Sequence, residues 1–362
     1  MLLRGGTLST GSLRTCLGLF AWSGGELEVT GSGGLNVGPN RHVHAVTLTG
    51  GKSLTVDHTL TVYDGGALSL AGGDLACGAL CLAGGTVTTR STVDLDLVGS
   101  LTGFGVANGP VTGSASVTIT ADGALTLGDP DNTEGYDVAG TLAVGSSQVT
   151  LLDADRANLG HTTTIGTGGT LTGLNGLHLD AGEILTAAGQ ALIQGEMLNN
   201  ATVNGPTAPG EALVFDDDVL GVGSYTGNIE FRQGFMPGNS PGTVGFGDGN
   251  VCFGEAGTLV MEILGATDGQ YDRIVDISTL DFRGTLQLLF GFEPEVGDTF
   301  DLLDFATLVG SLDNVDVIGL DPALLDTSGL STGGMVAVVP EPATLALLAL
   351  GGLGVFLRRT RK

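Results

Sequence analysis

A pair of glycines, then one or two small or polar residues, then alternating apolar and polar positions, recurs through the first half of the chain. Gly24-Gly25-Glu26-Leu27-Glu28-Val29, Gly33-Gly34-Leu35-Asn36-Val37, Gly50-Gly51-Lys52-Ser53-Leu54-Thr55-Val56 and Gly65-Gly66-Ala67-Leu68-Ser69-Leu70 are the clearest copies. Gly84-Gly85-Thr86-Val87 and Gly168-Gly169-Thr170-Leu171 continue the pattern, and Gly123-Ala124-Leu125-Thr126-Leu127 is a one-glycine version. The intervals from Gly33 to Gly50, Gly65 and Gly84 are 17, 15 and 19 residues. Glycine supplies a corner where φ is positive, and the strand behind it points Leu or Val inward and Thr, Ser or Asp outward.

One such strand cannot bury its apolar side alone. Winding successive strands so that each pairs with its equivalent one turn above and below buries a continuous aliphatic column and satisfies the backbone, which describes a parallel β-solenoid, or β-helix. At about 4.8 Å per coil, about ten coils over residues 1–205 make a rod about 50 Å long. Composition agrees: 64 glycines, 14% charged and 5% aromatic residues favour short strands and tight turns over a large aromatic core. The runner-up, a β-sandwich, wants regularly spaced hairpin signals and more core aromatics than the single Trp22. Glycine has no three-residue period, which excludes collagen.

The formal charge of −26 is unevenly spread. Residues 1–205 carry 6 basic and 17 acidic side chains, residues 206–339 carry 3 and 21, and the remainder carries 4 and 1. Such a field repels phosphate backbones and excludes nucleic acid as a partner, while acids on a strand-rich surface keep it soluble and block edge pairing. Composition shifts near Gly205-Pro206-Thr207-Ala208-Pro209-Gly210, so residues 206–339 are expected to form acidic, β-rich terminal coils and a cap. Four cysteines are too few for a disulfide framework. Cys77 and Cys81 lie too far apart to bond on one strand, whereas a turn at Gly78 brings them together; Cys16 and Cys252 have no evident partner, and all four are expected to act as small fillers.

Several groups of side chains are candidates for chemistry. Asp94 with Asp96, Asp153 with Asp155, and Asp216 with Asp218 each place two carboxylates on one strand face, as a glycosidase requires. No histidine or arginine cluster accompanies them, so no catalytic residue is assigned and the chain is expected not to be an enzyme. His42 and His44 share a strand face, with His58 one coil later, but no acid or cysteine pattern makes them a metal site. Gly245–Asn250 and Asp129–Asn132 are turns able to hold calcium, the one cofactor the sequence offers a place for, without matching a nonapeptide or twelve-residue loop.

The C-terminus is of another kind. Pro340-Glu341-Pro342 precedes the uncharged run Ala343 to Leu357, and Arg358, Arg359, Arg361 and Lys362 follow. The prolines deny a ladder, Glu341 and Pro342 suit a helix start, and the Ala- and Leu-rich run suits a helix whose closing cations match its dipole. Fifteen residues span about 22 Å, a marginal membrane anchor against a hydrocarbon core of about 30 Å. The basic end orients that helix with its C-terminus in the cytoplasm.

This triad, apolar helix and basic end resemble the PEP-CTERM sorting signal of exported bacterial proteins. The resemblance implies an exosortase as processing partner, with Pro340, Glu341 and Pro342 as the recognised element and residues 343–357 held transiently in the inner membrane. It further implies a mature cell-surface or matrix protein associated with extracellular polysaccharide. The repeats resemble those of autotransporter-type surface proteins. Met236-Pro237-Gly238-Asn239-Ser240-Pro241-Gly242-Thr243 with Tyr271-Asp272-Arg273-Ile274-Val275 resembles the closing section of planctomycete-type surface proteins with the same tail. The competing readings are a carbohydrate-binding or polysaccharide-cleaving module on the same rod and a calcium-stabilised adhesin. Such proteins carry an export signal. Here Arg4 and Arg14 with the short apolar run Cys16 to Trp22, broken by Gly18, make a poor one, and Gly5-Gly6-Thr7-Leu8 already reads as a repeat. The array is therefore expected to continue upstream of Met1.

Overall fold

The computed structural model describes residues 2–13, 21–90, 93–238 and 241–340. Strands hold 59% of the described residues against 2% for helix, and they pair in long parallel ladders, an all-β architecture consistent with a β-solenoid. The chain forms two compact units, Met1–Phe231 and Arg232–Lys362. The composition shift at residue 206 lies inside the first unit, where Thr202 pairs with Ser224 and the Asn228 N–H donates to the Pro206 carbonyl across it at 2.7 Å.

In the first unit each strand pairs in parallel with one a full turn away. From Tyr136–Val138, Thr141–Gly145 and Gln148–Leu152 onward, every coil has three strands, and each pairs with the third strand after it. Leu142, Thr163, Leu185, Val203 and Tyr225 stack in register through five coils, none more than 1% exposed. Their neighbours at alternate positions face outward, the period-2 pattern of the sequence. Thr163, the polar member, is accommodated because its hydroxyl donates to the Leu159 carbonyl at 2.9 Å.

The glycine doublets mark corners, but of two kinds. Thr7 lies opposite Glu26, Glu26 opposite Ser53 and Ser53 opposite Asp74, so the doublets before them share one corner at steps of 19, 27 and 21 residues. Ala67 lies opposite Thr86, so Gly65-Gly66 and Gly84-Gly85 mark a second corner. The 15- to 19-residue spacing of the sequence thus mixes two corners, and the coil itself is generally longer. Gly25 shows why the corner excludes a side chain: its φ is +91°, and a Cβ would run into the backbone of Gly5 and Gly6.

The second unit is built on larger coils. Thr243–Phe253, Arg273–Phe282 and Leu303–Gly310 form one parallel column, with Thr243 opposite Arg273 and Ile274 opposite Leu303. Thr258–Ile263, Thr285–Phe290 and Val315–Ile318 form another. Register steps of 27 to 30 residues enclose a wider cross-section than the steps of 16 to 22 among the last coils of the first unit. Aliphatic side chains alone would leave voids there. Phenylalanines fill it: Phe253 and Phe282 lie 5.2 Å apart between centroids, and Phe300 meets Phe290 edge-on at 5.7 Å. The expected aromatic-poor core therefore gives way to rings toward the C-terminus. Antiparallel Thr299–Asp301, Met335–Val338 and Leu325–Asp326 complete this unit.

Candidate functional site

The C-terminal address begins on that small antiparallel sheet. Val338, the last residue of its central strand, is bonded on both sides: its N–H donates to the Asp298 carbonyl at 2.8 Å, and its carbonyl accepts from the Gly297 N–H at 2.9 Å. The Val339 N–H donates to the Leu324 carbonyl at 2.8 Å. Pro340 is exposed, and with no N–H to give it ends the ladder. The folded body thus holds the chain up to residue 339 and releases the first residue of the triad to solvent. Glu341, Pro342, the expected helix 343–357 and Arg358, Arg359, Arg361 and Lys362 lie outside the described residues. Among the described residues no helix is long and apolar enough to cross a membrane.

The carboxylate pairs separate into different environments. Asp94 and Asp96 flank Leu95 and are exposed. Asp153 and Asp155 do not share a strand face, because they sit in the turn after Gln148–Leu152. Asp153 is buried and spends both oxygens on backbone, Oδ2 accepting from the Tyr136 N–H and Oδ1 from the Asp155 N–H, each at 2.9 Å. Asp216, Asp217 and Asp218 form the corner before Val219–Gly221, where Asp217 accepts the Gly195 N–H at 2.7 Å.

Asp155 does line an open concavity of about 600 Å³ with Thr133, Arg156, Asn175 and His178. Arg156 is paired with Glu196, and His178 Nε2 lies 3.0 Å from Asp180 Oδ1. Asn175 Nδ2 donates to the Asp153 carbonyl at 2.6 Å. Arg156 follows Asp155 directly in the sequence, whereas Asn175 and His178 belong to the next coil and meet it only through the register.

His42 and His44 lie outside the regular strands, around the isolated bridge of Val37 with Val43, and His42 Nδ1 accepts the Asn36 N–H at 3.1 Å. Among the described residues no group of His, Cys, Asp or Glu is placed to hold a metal ion. Asp129 and Asn132 are occupied within their own turn, accepting the N–H groups of Asp131 and Glu134. Gly245–Asn250 is an irregularity within Thr243–Phe253, with register shifts at Gly249 and Asp248 at φ +59°. Cys77 and Cys81 lie on the single strand Asp74–Thr88 as free, half-buried thiols; Cys252 is half-buried, and Cys16 lies outside the described residues.

Two motifs far apart in sequence do come together. The Asp272 carboxylate, 1% exposed, accepts the Gly242 N–H through Oδ1 and the Glu262 N–H through Oδ2, both at 2.7 Å. The Arg273 N–H returns a bond to the Gly242 carbonyl at 2.9 Å, and its guanidinium reaches Asp301 at 2.6 Å. Burial pushes the Asp272 carboxyl up to about 6 against the opposing pull of its two N–H donors.

A folded all-β body that releases a proline-led extension at its C-terminal sheet defines a protein carrying a terminal address. The family model of the PEP-CTERM protein-sorting motif matches residues 338–362, which supports reading the chain as a substrate for an exosortase. The matched span opens at Val338, the last residue anchored in the sheet, and contains the whole triad. No curated protein and no solved structure matches the chain. The motif supports export and sorting to the cell surface or extracellular space.

Proposed function

We propose that the mature protein is a non-catalytic structural component of the cell surface or extracellular matrix, a β-solenoid body whose tail is held transiently in the inner membrane and removed there by the exosortase. The match at residues 338–362 carries the sorting half of this reading. The non-catalytic half is supported by Asp153, a candidate acid whose two carboxylate oxygens both accept backbone N–H groups and serve its turn. In this reading residues 1–205 are the repeat array, 206–339 the terminal coils and cap, and 340–362 the signal.

The test is expression of the full chain in a host with its exosortase and in the same host lacking it. With the enzyme, the product is expected on the cell surface, shortened at the C-terminus by mass spectrometry. Without it, or with Pro340→Ala and Glu341→Ala together, the chain is expected to stay intact in the membrane fraction. Surface arrival of uncut chain in all three cases would overturn the reading.

A further inference from the structure

The middle strand of each coil in the first unit builds a second regular feature, on the outside. From Thr59 and Thr61 to Ser224 and Thr226, nine successive strands lie in register, and each offers two outward residues flanking a buried one. Of these eighteen positions eleven are threonine, and the others are Ser, Ala, Cys, Ile and Asn. The central rungs are Thr118 with Thr120, Thr141 with Ala143, and Thr162 with Thr164. None of the eighteen is charged, in a chain of net charge −26. None is aromatic.

The regularity is geometric as well as compositional. The register shifts of these strands fall between Val56 and Thr59, Val62 and Tyr63, Gly103 and Gly105, Phe104 and Val106, and Ala143 and Gly145, at the margins of the array and never between its two columns. Bulges re-aim side chains and bend a strand, so keeping them outside leaves the two columns uninterrupted. Its rungs repeat at about 4.8 Å, and the two columns stand about 6.7 Å apart along the strand. At the C-terminal end the polar groups bond along the columns, Thr226 Oγ1 donating to Asn204 Oδ1 at 2.8 Å and Asn204 Nδ2 to Thr186 Oγ1 at 3.3 Å.

We propose that this face binds ice, docking on the repeating oxygen lattice of the crystal. Both repeats of the array lie close to oxygen spacings of hexagonal ice. Each threonine offers a hydroxyl that can replace one lattice hydrogen bond and a methyl group that holds the neighbouring water in a cage. Charged side chains orient water radially and break such a lattice; none is among the eighteen, Asp96 and Asp137 point outward from the adjoining sheet, and Asp57 and Asp122 stand just beyond the array on its own strands. A sugar surface is the less fitting occupant, because sugar-ring faces pack on aromatic platforms and the array has none.

The experiment uses the purified full-length chain and a single ice crystal grown in its solution. The labelled chain is expected to concentrate on the crystal and to open a gap between melting and freezing temperatures. Thr120→Lys with Thr164→Lys is expected to shrink that gap at least five-fold at equal concentration, whereas Thr172→Lys on the neighbouring strand should leave it within two-fold. Circular dichroism establishes that the variants are folded; should the double variant fail there, Thr141→Tyr takes its place. Exclusion of the wild-type chain from the ice would overturn the proposal, as would a full gap in a folded array variant. Retention on powdered cellulose or chitin lost in the same variants, without ice adsorption, would overturn it in favour of a polysaccharide.

Discussion

The carboxylate of Asp272 accepts the backbone N–H of Gly242 at 2.7 Å, so an aspartate holds the end of a turn 30 residues earlier in the chain. Its other oxygen takes the Glu262 N–H, which ties a second strand to the same side chain. Two neighbouring columns of the second unit therefore share one buried acid. Replacing it with Asn keeps the shape but presents an amide N–H₂ to one of two backbone donors. Asp272→Asn is expected to cost about 1–3 kcal/mol, the penalty of leaving a buried donor unpaired. Urea unfolding followed by near-UV circular dichroism of the second unit's aromatic residues checks this.

The same carboxyl sets a pH dependence with a definite sign. Burial raises its pKa from 3.8 to about 6 in the folded chain, so between these values the folded state binds more protons than the unfolded. Asp272 therefore contributes most favourably below pH 4, and its contribution is lost as pH rises through 6. Asn does not titrate. The stability advantage of the wild-type chain over Asp272→Asn is expected to widen as pH falls from 7 to 4. A gap that is constant or narrows would show that the N–H donors outweigh burial.

The alternation of Leu and Thr behind glycines was enough to read inward and outward positions, because a period of two survives whatever the coil length. The coil length itself was hidden. Gly50-Gly51 and Gly65-Gly66 look alike in sequence, yet stack over different corners, and only pairing distinguishes them. The tail was legible because its three parts are contiguous. The meeting of Arg156 with Asn175 and His178 was not, since residues 19 and 22 apart become neighbours only through register. Asp153 misled for a related reason: two acids two apart share a face only on a strand, and these occupy a turn. Both Met236–Thr243 and Tyr271–Val275 stood out as motifs, but the carboxylate joining them is a tertiary fact.

Gly103 marks a place where the first unit tolerates no side chain. It sits at the register shift between Ser100–Asn108 and Thr118–Gly128 with φ +110°, and a Cβ there would run into the Leu82 carbonyl oxygen of the coil before. Ala at this position is strained by its backbone angles and displaces a ladder carbonyl as well. Gly103→Ala is expected to destabilise the first unit by about 1–3 kcal/mol or more. Hydrogen exchange should show the loss first in Asp74–Thr88 and Thr118–Gly128, the strands on either side. Protection unchanged there would mean that the corner relaxes freely.

Cys77 offers a chemical readout of how tightly those coils close. Its thiol lies between coils on Asp74–Thr88, opposite Val56, and burial pushes its pKa from 9.0 up to about 11. Only the thiolate attacks an alkylating reagent, so at pH 8 the reactive fraction falls about 100-fold below that of the same thiol in the unfolded chain. Alkylation of native protein, resolved by peptide mass spectrometry, is expected to be about 10-fold slower at Cys77, because the greater nucleophilicity of a high-pKa thiolate offsets part of the loss, and urea should abolish the difference. A destabilising change in the neighbouring coil, Gly103→Ala among them, should raise the native rate, because opening of the coils then exposes the thiol more often. Fast native labelling of Cys77 in the wild-type chain would show that the strand Asp74–Thr88 opens on its own, independently of the strands stacked on it.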